Sequence, residues 1–311
     1  MKNVIFIILS LVVLSFVSGA YLFFAACLRR KEMPWLDEKA IKKTRFAQYY
    51  DYIVQSSNWL KEHKSLDVYI TNQDGLRLHA LWIPAENPRG TVLFAHGYRS
   101  TVLIDFGCAM DFYHRMDMNI LLPTHRSHGK SEGKYITFGV KESRDMQCWI
   151  DYHNCNFGEL PILLDGLSMG ASTMLYLADK DLPENVKGIV ADCGFTSPKE
   201  IVSQVFRTVT HLPAVPSIWV AELCARFFAD FSLYECDTRK VLQNSRLPVL
   251  MVHGTGDDFV PCRMTEEGYQ ACTAEKNLLL VKDAPHGHSF IQDRERYTKM
   301  ICDFLNRYIF Q

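Results

Sequence analysis

Pro161-Ile-Leu-Leu-Asp-Gly-Leu-Ser-Met-Gly-Ala171 is the stretch of this 311-residue chain that decides its fold. The apolar run 162–164 predicts a short buried strand, and residues 171–178 predict a helix. Between them lies Gly166-x-Ser168-x-Gly170, a turn with glycine on either side of the serine. A strand, this turn and a helix in succession are the context in which a serine stands exposed as a nucleophile. An ordinary glycine–serine turn has the same letters, so the hypothesis needs partners for Ser168 elsewhere in the chain.

Outward from this turn, apolar strands alternate with helical segments. The predicted strands are 91–95, 119–122, 187–191, 248–252 and 278–281, and the predicted helices are 106–116, 138–152 and 293–310. Residues 66–70 and 78–83 alternate around an Asn-Gln-Asp-Gly turn and predict an antiparallel hairpin. The pattern predicts an α/β fold with a mostly parallel central sheet covered by helices on both faces. Active sites of such folds lie at the carboxyl ends of the strands.

Two segments interrupt this alternation. Residues 195–236 are too long for a simple crossover and too apolar for a loop, and they predict a helical cap whose apolar face forms a pocket wall. Its large apolar residues are Phe206, Leu212, Trp219, Leu223, Phe227, Phe228, Phe231 and Tyr234. Residues 32–65 carry aromatic and apolar side chains at helical intervals, among them Phe46, Tyr49 and Ile53. They predict a helical linker packed on a domain of residues 66–311, with contact to a membrane surface as the alternative.

The N-terminal segment has a different composition. Residues 4–28 carry no charge and are rich in Val, Ile, Leu and Phe. As a helix this run extends about 37 Å, more than the roughly 30 Å of a bilayer's hydrocarbon core. Arg29-Arg30-Lys31 ends the run, so residues 1–31 predict a transmembrane anchor with a basic flank. A signal peptide cleaved near Ala20 and a lipid attached at Cys27 are the alternatives.

The charge distribution and the cysteine content indicate which binding partners are expected and which are not. More basic residues follow the apolar run than precede it, which predicts a single-pass protein of the cell membrane with its catalytic part on the cytoplasmic side. The lipid bilayer is then a partner through residues 4–28. The net charge of −1 gives no basic footprint, so nucleic acid is not an expected partner. The ten cysteines include no C-x-x-C spacing, so neither a zinc site nor a redox dithiol is supported.

Two later loops supply candidate partners for Ser168. A serine hydroxyl needs a base, and that base needs an acid to orient it. Asp257 and Asp258 follow the strand predicted at 248–252, and His286 and His288 follow the last strand. Ser, Asp and His in this order along the chain match a known arrangement of catalytic triads. His286 is favoured because it is nearer the strand end and precedes a glycine, whereas the two aspartates remain alternatives.

A reacting carbonyl would also need backbone N–H donors for its oxygen. One candidate is the amide of Met169, directly after Ser168 and at the predicted helix N-terminus. The other is the amide of Tyr98, in the turn that follows His96-Gly97. The loss of one such donor typically lowers the rate by about 10²–10³.

These motifs together resemble the α/β-hydrolase superfamily, from about residue 60 to the end of the chain. More narrowly, they resemble small bacterial serine hydrolases with a single N-terminal membrane span. The matching motifs are His96-Gly97-Tyr98, Gly166 to Gly170, His253-Gly254-x-x-Asp257-x-x-Val260-Pro261 and His286-Gly287-x-Ser289-Phe290. The family's acid lies four residues after the histidine, so the resemblance implies Asp257 as the acid.

The chain departs from the family pattern at two positions of one loop. Residues 123–133 are similar to a family loop of Asp, Arg, Gly, His, Gly and Ser, but Thr124 replaces the usual Asp and Ser127 the usual Gly. The family implies a serine hydrolase with no metal and no organic cofactor. The apolar cap favours a carboxylic ester with an apolar acyl or alcohol group. Peptidase and thioesterase activity are alternatives of the same fold, and a non-catalytic membrane-tethered binding module is an alternative of another class.

Overall fold

A computed structural model describes residues 2–31, 37–43, 47 and 50–311, without the side chains of residues 7, 8, 11 and 108. The linker aromatics Phe46 and Tyr49 lie outside the described residues. The described residues form one sheet of eight strands. The strands are β1 (Leu66–Thr71), β2 (Arg77–Ile83), β3 (Gly90–Ala95), β4 (Met118–Pro123), β5 (Ile162–Leu167), β6 (Val186–Asp192), β7 (Val249–Gly254) and β8 (Lys276–Val281).

Helices precede, separate and follow these strands. They are α1 (Lys2–Cys27), α2 (Glu38–Ile41), α3 (Tyr50–Glu62), α4 (Val102–Arg115), α5 (Val140–Phe157), α6 (Met169–Leu175), α7 (Pro198–Thr210), α8 (Ser217–Ala229), α9 (Thr238–Leu242), α10 (Arg263–Ala271), α11 (Ser289–Gln292) and α12 (Arg294–Tyr308).

The sheet has the strand order β1-β2-β4-β3-β5-β6-β7-β8. β1 pairs antiparallel with β2, and β2 antiparallel with β4, while every other pair is parallel. The predicted hairpin and the mostly parallel sheet are therefore confirmed. In register, Ala95 of β3 pairs with Gly166 of β5, and Gly254 of β7 pairs with Val281 of β8. The loops that follow these strands consequently meet at one edge of the sheet.

Both faces of the sheet are covered, as the continuous apolar runs of its central strands require. On one face, Met146 and Trp149 of α5 and Met174 of α6 pack on the strands. On the other face, the packing comes from α4 and from Phe304 of α12. Helix α3 adds to this second face through Trp59.

The segment predicted as a cap contains the helices α7 and α8. Phe206 of α7 and Ala225 of α8 belong to a third apolar cluster, which also includes Phe195 from the chain after β6 and Met169 beside Ser168. The apolar interior of this segment therefore faces the carboxyl edge of the sheet.

Helix α1 packs against this same cluster. Phe23 and Cys27 are buried there. A Cβ added at Gly19 would lie 2.4 Å from the carbonyl oxygen of Ser217, which shows how closely α1 approaches α8. The hydroxyls of Ser18 and Ser217 are 2.7 Å apart.

The membrane-spanning helix predicted for residues 4–28 is not supported. Within the described part of the chain, no helix has both the length and the apolar character needed to cross a membrane.

Candidate active site

Ser168 lies in the turn between β5 and α6, at the carboxyl edge of the sheet. Its backbone has φ 56° and ψ −114°, a strained conformation for a residue with a side chain. The flanking glycines are required by close backbone approach. A Cβ at Gly166 would lie 2.4 Å from the carbonyl oxygen of Gly170, and a Cβ at Gly170 would lie 1.7 Å from that of Ala95. The turn therefore has the geometry expected for an exposed nucleophile between strand and helix.

His286 lies between Ser168 and Asp257 and is hydrogen-bonded to both. Its Nε2 is 2.9 Å from Ser168 Oγ, and its Nδ1 is 2.6 Å from Asp257 Oδ2. Because an ionised carboxylate only accepts hydrogen bonds, Nδ1 carries the proton and Nε2 accepts the serine hydroxyl. In this tautomer the imidazole can take a proton from the serine. The structure thus brings the three predicted residues together from three separate loops.

Asp257 is held as an ionised carboxylate. Its side chain has 0% exposure. Oδ1 accepts the N–H groups of Phe259 and Val260 at 2.9 and 2.8 Å, and Oδ2 lies 3.1 Å from Nε2 of His253. Burial favours the neutral acid, but the hydrogen bonds from His253 and His286 outweigh it and hold the pKa of Asp257 well below its usual range. Asp257 can therefore orient His286 and stabilise an imidazolium.

The alternative acid and base lie elsewhere in the same loops. Asp258 is exposed to solvent, whereas its neighbour Asp257 points inward to His286. His288 is the N-cap residue of α11, beyond the turn that carries His286. Asp257 is the aspartate that contacts His286, and His286 is the histidine that contacts Ser168.

The turn after β3 places the backbone of Gly97 and Tyr98 beside Ser168. A Cβ at Gly97 would lie 3.4 Å from Ser168 Cβ. The Gly97 N–H donates to Asp105 Oδ2 at 2.6 Å and is therefore already occupied. The next amide along the turn is that of Tyr98. Met169 is the first residue of α6, where an N–H group has no partner within the helix. Of the two predicted donors, Met169 therefore follows Ser168 directly, and Tyr98 follows Gly97, the residue that approaches Ser168.

Asp105 on α4 fixes the shape of this turn. Besides the Gly97 amide, it accepts the hydroxyl of Ser100 on Oδ1 at 2.6 Å. Burial raises the pKa of Asp105 to about 6. One carboxylate therefore ties together both ends of the four-residue turn that contains Tyr98.

Three histidines support the same turn from beneath. His96 donates from Nδ1 to the Gly97 carbonyl at 2.9 Å and accepts the His125 N–H on Nε2 at 3.1 Å. His128 accepts the Arg99 N–H on Nε2 at 3.1 Å. Burial lowers the pKa of each, that of His125 to about 3, so these imidazoles are neutral near pH 7. The imidazoles of His96 and His128 act as fixed hydrogen-bonding groups of the turn, whereas His125 contributes its backbone N–H.

No model of a known protein family matches the chain. The chain is 26% identical over 224 residues to the uncharacterized protein YqkD of Bacillus subtilis, covering 72% of this chain and 73% of YqkD. It is 24% identical over 245 residues to YNL320W of Saccharomyces cerevisiae, described as an uncharacterized membrane protein, covering 76% and 78% of the two chains.

Solved structures with the same architecture include an esterase and an α/β hydrolase. The esterase Pf2001 of Pyrococcus furiosus superposes with a TM-score of 0.66 at 24% identity, covering 80% of this chain and 92% of the esterase. The α/β hydrolase GrgF of a Penicillium species superposes with a TM-score of 0.63 at 19% identity, covering 79% and 99%. This chain has the α/β-hydrolase fold. The fold that the motifs predict is therefore confirmed.

Within this α/β-hydrolase fold, the loop of residues 123–133 tolerates both departures from the family pattern. Ser127 adopts φ 65°, the left-handed conformation for which glycine is the usual residue. Its hydroxyl donates to the Tyr135 carbonyl at 2.9 Å, a contact that glycine cannot make. Thr124 Oγ1 lies 3.1 Å from His79 Nδ1. The side chains of Ser127 and Thr124 thus each have a hydrogen-bonding partner within this part of the structure.

Ser168 lines two cavities of different character. A cavity of ≈ 340 Å³ is bordered by Ser168, His286, His288 and the carboxylates of Asp105 and Asp165. A larger cavity of ≈ 940 Å³ extends from Ser168 along α1 and α7. Its walls are mainly apolar and include Leu22, Val202, Val205 and Phe206.

One group of potential metal ligands lies at this site. Ligand atoms of Cys193, Asp257 and His286 lie within 4.8 Å of one another. Burial raises the pKa of the Cys193 thiol well above its usual range, so the thiolate that would bind a metal is disfavoured. Asp257 and His286 are already hydrogen-bonded to each other. The donor set therefore suits proton transfer better than metal binding.

Three contributors to the site are not predicted from the sequence as parts of it. His253 enters the prediction only as part of a motif, and neither the role of Asp105 nor the contact between α1 and the turn of Tyr98 is predicted. Asp105 had a detectable signal, an acidic residue in the first turn of the helix that follows His96-Gly97-Tyr98. The Tyr98 hydroxyl donates to the Ala26 carbonyl at 2.7 Å across 72 positions of sequence, and no local pattern indicates such a contact.

Proposed function

We propose that this protein is a serine hydrolase that cleaves a carboxylic ester with an apolar acyl group. The observation that carries the proposal is the position of His286, hydrogen-bonded through one nitrogen to Ser168 and through the other to Asp257. The apolar cavity beside Ser168 supports an apolar acyl group.

In the first half-reaction, His286 Nε2 takes the proton of Ser168 as Oγ attacks the ester carbonyl. The Tyr98 and Met169 amides donate to the oxyanion, and Asp257 stabilises the imidazolium. His286 then returns the proton to the alcohol oxygen as the ester bond breaks, leaving an acyl-serine. In the second half-reaction, His286 takes a proton from water, which attacks the acyl carbonyl. The acid is released and the proton returns to Ser168 Oγ.

The test uses the full chain and its Ser168→Ala variant. A fluorophosphonate probe should label the wild type at Ser168, and the label should be lost in the variant. p-Nitrophenyl butyrate, an aminoacyl anilide and an acyl thioester should be compared under the same conditions, with the variant as the blank. We expect the ester to be cleaved with the highest kcat/KM. Labelling that persists in Ser168→Ala would exclude this nucleophile, and faster cleavage of the anilide or thioester would exclude ester specificity.

We also propose that the protein contacts a lipid bilayer through residues 4–28 and the neighbouring cap. Large apolar side chains are exposed along both α1 and α8. Those on α8, Trp219, Leu223 and Phe227, are spaced four residues apart and are 58%, 64% and 82% exposed. Because α1 packs on α8, these surfaces adjoin. Large exposed apolar surfaces of this kind are typical of membrane or protein contact sites.

This contact can be tested by flotation of the full chain with phosphatidylglycerol vesicles. We expect the wild type to float with the vesicles and the double variant Leu223→Gln, Phe227→Gln to float less. Tyr234→Gln is the matched control, since Tyr234 is 47% exposed but lies beyond α8. Wild-type protein that stays at the bottom of the gradient would refute the proposed contact.

A further inference from the structure

The larger cavity beside Ser168 has two opposing walls from distant parts of the chain. One wall comes from the cap and includes Val202, Val205 and Phe206 of α7. The other comes from the N-terminal helix, whose Leu14, Ser18, Leu22 and Ala25 line the cavity. The α/β core alone would therefore leave this cavity open on one side.

Specific contacts fix α1 in this position. Gly19 allows its backbone to approach α8, where a Cβ would lie 2.5 Å from Val220 Cβ. At the other end, an Arg99 guanidinium nitrogen donates to the Ala25 carbonyl at 2.7 Å. The Tyr98 hydroxyl bonds to the next carbonyl along, that of Ala26. The C-terminal end of α1 is thus joined to the turn that carries the proposed oxyanion donor.

The position of His286 decides which part of an ester would enter this cavity. His286 must return its proton to the leaving oxygen, so the alcohol part lies on the side of its Nε2. His286 borders the smaller cavity, whose lining also includes Pro285, Gly287 and His288. Ser168 lines both cavities and His286 is not in the lining of the larger one, so the acyl part would extend from Ser168 into the larger cavity, along α1.

The length and character of the cavity indicate an extended apolar group. Leu14 and Ala26 both line it and, at a rise of 1.5 Å per residue, lie about 18 Å apart along the axis of α1. Among its described lining residues, the charged ones are Arg30 and Arg99, at the end near Tyr98. The remaining length offers apolar side chains and a few hydroxyls, which suit an alkyl chain and not a charged or peptide-like group.

We propose that α1 is part of the substrate site and that, with α7, it encloses a long unbranched acyl chain and sets the preferred chain length. This inference rests on the proposed ester hydrolysis for its orientation. It assigns the N-terminal helix a second role, as a wall of the acyl site, in addition to the proposed contact with a bilayer.

The test compares Leu22→Trp with Val13→Trp in the full chain. Leu22 lines the cavity, whereas Val13 is 61% exposed and lies nine residues earlier, half a turn around the helix. The readout is the ratio of kcat/KM for p-nitrophenyl laurate to that for p-nitrophenyl acetate. We expect Leu22→Trp to lower this ratio more than about tenfold, which is the effect of losing the burial of about two methylene groups of the acyl chain. We expect Val13→Trp to leave the ratio at the wild-type value. Equal ratios for the two variants would overturn the proposal.

A binding measurement separates this proposal from the catalytic one. A fluorescent long-chain fatty acid should bind to Ser168→Ala and bind at least about tenfold more weakly when Leu22→Trp is added. This outcome without any ester hydrolysis by the wild type would refute the proposed reaction and retain the acyl site. Unchanged fatty-acid binding in the double variant would refute the acyl site. Thermal unfolding of each variant checks that the fold is kept.

Discussion

The two sides of Ser168 differ in chemistry and in how the chain builds them. On one side, His286, Asp257, Asp105 and Asp165 form a polar region in which contacts are single hydrogen bonds of defined geometry. On the other side, α1 and the cap form an apolar cavity in which many side chains would each make a weak contact with a bound group. A change on the polar side should therefore alter chemistry or pH dependence, and a change on the apolar side should alter chain-length preference.

The two sides also differ in how far along the chain their residues lie from the strands of the sheet. Asp165 lies within β5, Asp257 and His286 lie in the loops after β7 and β8, and Asp105 lies on the helix after β3, so the sheet itself positions these groups. The apolar wall depends on α1, which is separated from the sheet by residues 28–65. The polar side should consequently respond to single substitutions strongly, and the apolar side more gradually.

The largest effect is expected for Asp257→Asn. Asparagine cannot hold His286 in the tautomer that accepts the serine proton, so kcat for a p-nitrophenyl ester should fall by about 10⁴ with little change in KM. Asp258→Asn is the matched control, because Asp258 is the exposed neighbour. Steady-state kinetics on both variants checks this. A similar loss in the control, or a loss of less than about tenfold in Asp257→Asn, would contradict the assignment of the acid.

A second effect is expected in the pH dependence of stability. Burial and the nearby Asp192 raise the pKa of Asp165 to about 7, although the Tyr113 hydroxyl donates to Oδ2 at 2.7 Å. The folded state thus holds this proton more tightly than the unfolded state. The stabilisation is complete below about pH 4 and is lost as the pH rises through 7.

Asp165→Asn should remove this loss. The free energy of unfolding of the wild type relative to the variant should fall by on the order of 4 kcal/mol between pH 4 and pH 8. On the apolar side, Phe206→Leu should lower stability equally at every pH in that range. Urea unfolding at a series of pH values checks both. A wild-type-to-variant difference that is constant with pH would contradict the titration of Asp165.

The smallest effect is expected for Asp105→Asn. An asparagine can accept only one of the two hydrogen bonds that Gly97 and Ser100 donate to the carboxylate. The turn with the Tyr98 amide should then be less well placed, and kcat should fall by about 10–10² with KM nearly unchanged. Asp111→Asn on the same helix is the control, since that carboxylate pairs with Arg115 at the surface. A raised KM with unchanged kcat would contradict a role in positioning the oxyanion donor.

Much of the fold and of the polar side could be predicted from the sequence. Strand and helix periodicity gave the parallel sheet, and strand ends then located Ser168, Asp257 and His286 near one another. The choice between Asp257 and Asp258 required the family resemblance, because adjacent side chains in a loop point in different directions. In the structure one is hydrogen-bonded to His286 and the other is exposed.

The apolar side could not be predicted in the same way. An uncharged run of Val, Ile, Leu and Phe at the N-terminus predicts a membrane anchor by composition alone. Its packing on α8 depends on Gly19 meeting Ser217 and Val220, residues about 200 positions later in the chain. For Asp105 the sequence shows an acidic residue in the first turn of α4, but its two hydrogen-bonding partners are defined by the fold of a turn and not by a periodic pattern.

The most direct test of the account is to trap the acyl group on the enzyme. The full chain should be mixed with p-nitrophenyl laurate, quenched in acid at successive times, digested and examined by mass spectrometry. We expect one lauroyl group on the peptide that contains Ser168, appearing with the burst of p-nitrophenol and disappearing as turnover ends. Hydrolysis of the ester with no acyl group on Ser168 at any quench time would contradict the account.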